Sequence, residues 1–226
     1  MNLPYGLLRA FLTPFLMVLF RPKVIGLRNV PVTGPVILAS NHLSFSDSIF
    51  MPLVVPRKVT FLAKSEYFTA PGPKGLLKKL TFLALGQVPV DRSGGRRSEA
   101  ALITGLKVLS DGNCLGIYPE GTRSPDGRLY KGRTGLVRLA LESGAPIIPV
   151  AMFDTDKIQP TGKVIPKIMR VKMVFGEPIY LKGDSTNLQE LRDLTDDLMR
   201  KIQALSGQEY VDIFATRRKA EMDEAE

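Results

Sequence analysis

Residues 36–50 read VILASNHLSFSDSIF, and this stretch decides how the chain folds. It opens on an apolar run, continues through a mostly polar segment at residues 41–47, and returns to an apolar run at Ile49. This pattern predicts a buried strand, a turn and a helix. In α/β proteins the carboxyl end of a strand is where sites are usually built. The stretch therefore predicts an α/β fold with a candidate site at the turn.

The turn holds the only histidine of the chain, His42, and a carboxylate five residues later, Asp47. A neutral imidazole can take a proton from a hydroxyl near pH 7, and a carboxylate on its other nitrogen fixes the tautomer. Because five residues end about 140° away from one helix face, we expect His42 on the turn and Asp47 in the first helical turn. Spacing alone leaves a second interpretation open. His42 could be satisfied by its own loop, and Asp47 could serve only the helix N-terminus.

The composition limits the classes of protein to consider. The 226 residues are 44% apolar and 23% charged, which is typical of one globular domain with a real core. A single cysteine, Cys114, excludes an intramolecular disulfide, and with one histidine it gives no zinc site. We therefore predict no metal site, and we expect Cys114 to be a small core residue.

The net charge of +9 predicts an anionic partner. The candidates are nucleic acid, a membrane surface and a phosphorylated substrate. The chain has no basic-aromatic repeat and no zinc-finger spacing, so no motif supports nucleic acid and none is expected as a partner.

The N-terminal residues 3–20 are apolar but are interrupted by Pro4, Arg9 and Pro14. The unbroken part is shorter than the ~20 residues of a spanning helix. Basic residues follow directly, which favours a helix lying at a membrane interface. A core helix docked on the domain and a short re-entrant pair are alternatives that the sequence leaves open. Residues 71–85 mix Leu and Phe with Lys, and fit either a second membrane-facing helix or a packed helix with a solvated face.

The remaining pattern predicts a single domain with a central, mostly parallel or mixed sheet flanked by helices. We expect strands at 36–39, 59–62, 87–90, 114–118, 147–150 and 171–175, and helices at 49–55, 98–110, 133–142 and 187–205. The last helix is predicted to begin at a capping box of Thr186 and Gln189 and to end before Gly207. The chain then divides into a membrane-interface segment (1–30), a domain (31–215) and a charged, loose tail (216–226).

Polar residues follow several of these strands, and parallel strands would bring them to one edge of the sheet. Gly121 would let backbone approach a ligand closely. Any one of the cations is typical of a solvated surface charge. Because cations recur at the ends of successive strands, the pattern favours a site in which a base faces a group of cations. Besides His42 and Asp47, the candidate residues are Lys64, Arg92, Glu120, Gly121, Thr122, Arg123 and Lys131.

Two other chemistries lack their motifs. No G-x-S-x-G segment is present, so a serine hydrolase would have no nucleophile turn. Residues 127–134 come close to a P-loop, but Arg133 stands where the lysine belongs and the segment follows a polar loop rather than a strand.

At the level of motifs, the chain resembles the glycerolipid acyltransferase family, most closely the 1-acylglycerol-3-phosphate acyltransferases. The first family block, N-H-x-x-x-x-D, is matched at residues 41–47, and the third, [FY]-P-E-G-T-R-S, is matched without a difference at residues 118–124. A second block ends in an arginine after a strand, here residues 86–92, and a fourth is the apolar segment at residues 145–150. The four blocks occur in the family's order.

The resemblance implies a role for each candidate residue. His42 would be the general base that takes the proton from the acceptor hydroxyl, and Asp47 would orient it and compensate its charge. The hydroxyl would attack the thioester of an acyl-coenzyme A or acyl carrier protein, with no covalent acyl-enzyme and no cofactor beyond this co-substrate. The acceptor pocket and its phosphate-binding groups would be Lys64, Arg92, Glu120, Gly121, Thr122, Arg123 and Lys131.

The resemblance further implies an O-acyltransferase of phospholipid synthesis that acts on lysophosphatidic acid and gives phosphatidic acid. It would work at the cytoplasmic face of a membrane as a monotopic or peripheral protein, with the lipid surface as a partner. Glycerol-3-phosphate or another lysophospholipid is the alternative acceptor. The non-enzyme alternative is a basic protein that only binds membrane surfaces.

Overall fold

The computed structural model describes residues 3–84, 86–90, 97–160, 163 and 165–224. These residues contain nine strands, most of which follow the apolar runs of the sequence. They are β1 (Lys23–Ile25), β2 (Val36–Ser40), β3 (Val59–Lys64), β4 (Gln87–Val90), β5 (Cys114–Ile117), β6 (Leu129–Tyr130), β7 (Ile147–Phe153), β8 (Lys172–Phe175) and β9 (Tyr210–Val211).

Seven of the strands form one sheet in the order β1-β8-β7-β2-β5-β3-β4, while β6 and β9 pair separately. Within the larger sheet all neighbours are parallel except β7 and β8. The carboxyl ends of β2, β3, β4, β5 and β7 therefore lie at one edge. The prediction of an α/β fold with a mostly parallel, mixed sheet is confirmed.

Helices cover both faces of this sheet. They are α1 (Leu3–Phe20), α2 (Asp47–Val54), α3 (Glu66–Thr69), α4 (Gly72–Ala84), α5 (Arg97–Ser110), α6 (Gly135–Ser143), α7 (Thr155–Ile158), α8 (Leu188–Ser206) and α9 (Ala215–Asp223), with a 3₁₀ turn at Leu27–Asn29. One face packs against α1 and α2, and the other packs against α5, α6 and α8. Each predicted helix is present within two residues of its expected ends.

Strand β2 shows why the sequence selects this arrangement. All five of its residues are buried. Val36 and Leu38 join the core under α2, whereas Ile37 and Ala39 join the core under α5 and α6. A strand covered on both faces must be apolar throughout, as this one is up to Ser40.

The start of α8 differs from the predicted capping box. Asn187, not Thr186, is the N-cap, and its side chain accepts hydrogen bonds from the backbone N–H groups of Gln189 and Glu190. An asparagine satisfies two free donors here without help from a glutamine side chain. The predicted end is confirmed, since Gly207 follows the helix with a left-handed φ of 69°.

The C-terminal tail, which the sequence predicted to be loose, contains α9. Its first residue, Ala215, is fully buried, and Lys219 and Arg218 contact the loop after β5. The segment has no apolar stripe, so its order depends on contacts that composition does not reveal.

The N-terminal segment is one continuous helix, α1, with Pro14 inside it, rather than a re-entrant pair. Its end docks on the domain, because the Phe20 ring packs edge-on against Phe50 of α2 with centroids 4.9 Å apart. Among the described residues, none of the helices has both the length and the apolar character needed to cross a membrane.

Candidate active site

The His42 imidazole is oriented by Asp47 at the carboxyl end of β2. Asp47 Oδ2 accepts a hydrogen bond from His42 Nδ1 at 2.9 Å. This contact puts the proton of the neutral ring on Nδ1 and leaves Nε2 with a lone pair. The His42 side chain is 15% exposed and lines a cavity of about 1100 Å³. The pair therefore has the geometry of a general base with its orienting carboxylate.

Asp47 is held by the turn that it closes. It is fully buried at the start of α2, and its Oδ2 also accepts from the backbone N–H groups of Leu43 and Ser44, both at 2.8 Å. The N-terminus of a helix favours a negative charge. The loop thus stabilises the Asp47 carboxylate at the helix N-terminus, as the structural interpretation of the sequence expected. The same loop also places that carboxylate against the imidazole.

A second ring fixes the plane of the imidazole. Tyr118 stacks on His42 with centroids 3.7 Å apart and an interplanar angle of 8°. Its hydroxyl lies 2.9 Å from Ser48 Oγ, and Phe61 stacks on it with ring centroids 5.4 Å apart. Burial raises the pKa of Tyr118 well above its usual range, so it remains a neutral phenol. Tyr118 opens the third motif, but the sequence pattern alone does not indicate this stacking role.

Glu120 supports two backbone segments and, within the described part of the chain, forms no ion pair with an arginine. It is 1% exposed, and its two oxygens accept from the backbone N–H groups of His42 (3.1 Å) and Tyr130 (3.0 Å). Burial raises the pKa of Glu120 to about 8, against these two hydrogen bonds, which lower it. In this arrangement Glu120 braces the His42 and Tyr130 backbone segments, and its role toward the acceptor stays a prediction.

The loop that follows β5 meets the histidine turn. The Ser124 N–H donates to the His42 carbonyl at 2.7 Å. Gly121, Thr122 and Arg123 line the same cavity as His42. Gly121 has a φ of 75°, and a Cβ there would lie 2.9 Å from Arg133 Nε, so a larger residue would be strained in backbone and in space.

The other predicted cations are distributed differently. Lys131 Nζ pairs with Asp212 at 2.9 Å and is not among the described residues that line the cavity, so its predicted role at the acceptor phosphate stays a prediction. Lys64 is the last residue of β3, in register with Val90 of β4. The Lys64 side chain and the whole of Arg92 lie outside the described residues.

Two amides that sequence reasoning did not assign hold the end of β2. Asn41 Oδ1 accepts from the Met152 N–H at 2.7 Å, and Asn41 Nδ2 donates to the Met152 carbonyl (3.0 Å) and to Gln208 Oε1 (2.8 Å). Gln208 Nε2 donates in turn to the Gly127 carbonyl at 2.6 Å. The first motif contained a signal for Asn41, whereas nothing in the sequence pointed to Gln208.

The cavity joins this polar group to apolar walls. Aromatic and aliphatic side chains from both sides of the sheet edge line it, among them Phe45, Phe61, Phe82, Leu102 and Leu136. A large, mostly apolar pocket with a few convergent polar groups suits an amphiphilic ligand.

Comparison with known proteins agrees with these features. An acyltransferase family model matches residues 21–153. A 1-acyl-sn-glycerol-3-phosphate acyltransferase from Brassica napus chloroplasts is 31% identical over 185 residues, which are 81% of this chain and 50% of that protein. The Bacillus subtilis enzyme of the same name is 28% identical over 189 residues, 82% of this chain and 88% of that one. The chain thus spans about half the length of the Brassica protein.

Among solved structures, the 1-acyl-sn-glycerophosphate (LPA) acyltransferase PlsC from Thermotoga maritima is similar. The TM-score is 0.66 at 25% identity, and the match covers 89% of this chain and 79% of that one. With a family model that spans more than half of its residues, the chain belongs to the acyltransferase family.

Proposed function

We propose that this chain transfers an acyl group from the thioester of acyl-coenzyme A or acyl carrier protein to the free hydroxyl of 1-acyl-sn-glycerol-3-phosphate, giving phosphatidic acid. The observation that carries the proposal is the His42–Asp47 pair in one cavity with the Gly121–Arg123 loop. The names of the relatives from Brassica, Bacillus and Thermotoga support the choice of acceptor.

The proposed reaction is a direct transfer. His42 Nε2 takes the hydroxyl proton while the oxygen attacks the thioester carbonyl, and the carbon–sulfur bond then breaks. The thiolate leaves and recovers the proton from the imidazolium, so the histidine is restored and no acyl-enzyme forms. Base catalysis contributes about 10²–10⁴-fold, and positioning of the two reactants contributes more. Because a thiolate is a good leaving group, the step requires no cofactor beyond the donor.

A cross of acceptors and donors tests the proposal. Purified protein is assayed with lysophosphatidic acid, glycerol-3-phosphate and lysophosphatidylcholine, each with acyl-coenzyme A and with acyl carrier protein as donor. We expect the highest kcat/KM with lysophosphatidic acid. A higher kcat/KM with either of the other acceptors would change the proposed acceptor but not the family. Binding to anionic vesicles without turnover in any combination would favour the membrane-surface alternative.

We further propose that α1 and α4 rest on the membrane that holds the lipid substrate. The two helices are in contact, and both expose apolar side chains, including Val18 at 78% and Leu77 at 68%. Phe45, partly exposed at the cavity, lies 6.3 Å from the α4 ring of Phe82, centroid to centroid. The apolar surface therefore continues to the cavity, and a long acyl chain could enter without crossing water.

Exposed Arg21, Lys23 and Arg28 follow α1, and Lys74 and Lys79 are exposed on α4. Basic side chains beside an apolar surface favour an anionic leaflet, such as the cytoplasmic one. We propose a monotopic or peripheral attachment at that face.

Replacing both Val18 and Leu77 with glutamate tests this surface. Exposing a Val or Leu side chain that a lipid buries costs about 1.5–3 kcal/mol, so we expect binding to anionic vesicles to weaken at least about tenfold. Vesicle co-sedimentation measures the change. The control is Ile103→Glu on α5, which is 62% exposed on the opposite face of the sheet and should bind as the wild type does. Equal binding of all three proteins would contradict the proposed surface.

A further inference from the structure

Three cations near the loop at residues 121–123 have no carboxylate partner among the described residues. Within the described parts of the chain, Arg123, Arg133 and Lys219 form no ion pair. Other cations of the same region are paired, namely Arg128 with Asp126 and Glu209, Lys131 with Asp212, and Arg218 with Asp126 and Glu221. Within this region, the positive charge that lacks a carboxylate partner in the described part of the chain therefore lies at the loop that abuts His42.

Lys219 reaches this loop from the far end of the chain. Its Nζ donates to Thr122 Oγ1 at 2.8 Å, and Thr122 lines the cavity next to Arg123. The contact joins residues 97 positions apart in sequence. Helix α9 therefore contacts the loop that lines the cavity.

Arg133 connects the start of α9 to the same loop. Its guanidinium lies over the Phe214 ring at 5.0 Å and donates to Thr216 Oγ1 at 3.4 Å. Its stem occupies the space that a side chain at Gly121 would fill, and Arg133 itself lines the cavity. The Arg133 side chain and the Lys219 ammonium therefore approach the loop from two parts of the chain, the segment before α6 and helix α9.

The electrostatics agree with this geometry. Burial and the neighbouring Arg123 lower the pKa of Lys219, while Glu120 and Asp223 oppose the shift. Holding cations together without a counter-charge costs free energy, and an anion bound among them lowers that cost.

We propose that Lys219 and Arg133, with Arg123, bind the phosphate monoester of the acceptor. This inference rests on the proposed function. The acceptor is favoured over the donor because Ser124, directly after Arg123, is hydrogen-bonded to the His42 carbonyl. In 1-acylglycerol-3-phosphate the reacting hydroxyl and the phosphate ester are on adjacent carbons, so a phosphate at this loop brings the hydroxyl to the imidazole.

The test is Lys219→Met, which keeps most of the aliphatic stem and removes the charge. We expect the KM for lysophosphatidic acid to rise about tenfold or more, as for loss of a charge-assisted hydrogen bond, with kcat and the KM for the acyl donor within twofold of the wild type. Lys219→Arg should recover most of the acceptor affinity. A merely structural role in α9 would instead change the donor and acceptor parameters together and lower the melting temperature.

The matched control is Arg217→Met on the same helix. This change also removes one positive charge, but Arg217 is exposed and paired with Glu221, so the acceptor KM should not change. An equal rise in both variants would show a general charge effect and overturn the assignment. A rise in the donor KM alone would assign the cations to a donor phosphate and would likewise overturn it. An unchanged acceptor KM in Lys219→Met, with an active wild type, would remove Lys219 and leave the proposed function standing, whereas an inactive wild type would overturn both.

Discussion

Replacing His42 with alanine is expected to lower kcat by at least ~10³-fold, since it removes the group that accepts the hydroxyl proton. No other described side chain offers a base at this position, because Asp47 is fully buried behind the imidazole and Glu120 is turned to two backbone N–H groups. The measurement is the steady-state rate with saturating lysophosphatidic acid and acyl-coenzyme A.

The fold should survive this change. The turn is held by the His42 backbone, whose N–H donates to Glu120 and whose carbonyl accepts from Ser124, and neither contact involves the ring. We expect the melting temperature to move by only a few degrees, as for the loss of one partly exposed ring. A stable His42→Ala protein with kcat within tenfold of the wild type would contradict the proposed mechanism.

The sequence predicted the core of this fold because burial on both faces of the sheet leaves a clear trace. Runs such as residues 36–39 and 147–150 are apolar throughout and end at polar turns, which is what a covered parallel strand requires. The strand order was not predictable, and neither was the antiparallel course of β8. Both depend on the path that the long connecting segments take across the sheet. The local pattern of the segment after residue 153 does not indicate that path.

The parts of the candidate site that lie within a sequence motif were predictable. The parts that depend on contacts between distant segments were not. His42, Asp47 and the loop at residues 121–123 come together as expected. The partners of Glu120 are backbone N–H groups, which no side-chain pattern reveals. Lys131 pairs with Asp212 and Lys219 donates to Thr122, and neither contact was predictable because both depend on where the polar C-terminal segment folds back.

The exchange Asp47→Asn is expected to separate the charge of this side chain from its hydrogen bonds. Asp47 uses Oδ2 for all three of its bonds, to His42 Nδ1 and to the N–H groups of Leu43 and Ser44. Its Oδ1 has no hydrogen-bond partner among the described residues. An asparagine can therefore place its oxygen at the Oδ2 position and its amide nitrogen at the Oδ1 position, which keeps the turn but removes the negative charge.

With the turn intact, the main loss is the stabilisation of the imidazolium that forms when His42 takes the hydroxyl proton. We expect kcat to fall on the order of 10²–10³-fold, about 3–4 kcal/mol of activation free energy, with a smaller change in either KM. The matched control is Asp111→Asn, since Asp111 is exposed before β5, at the other edge of the sheet, and its replacement changes the net charge equally.

The companion variant Asp47→Ala removes the acceptor of two buried N–H groups as well as the charge. Each such unsatisfied donor costs about 1–3 kcal/mol, so this protein should melt well below Asp47→Asn. If Asp47→Asn kept kcat within threefold of the wild type while Asp47→Ala unfolded readily, the carboxylate would serve only the turn. The purely structural interpretation of the histidine–aspartate spacing would then be the correct one, and His42 would have to act without a counter-charge.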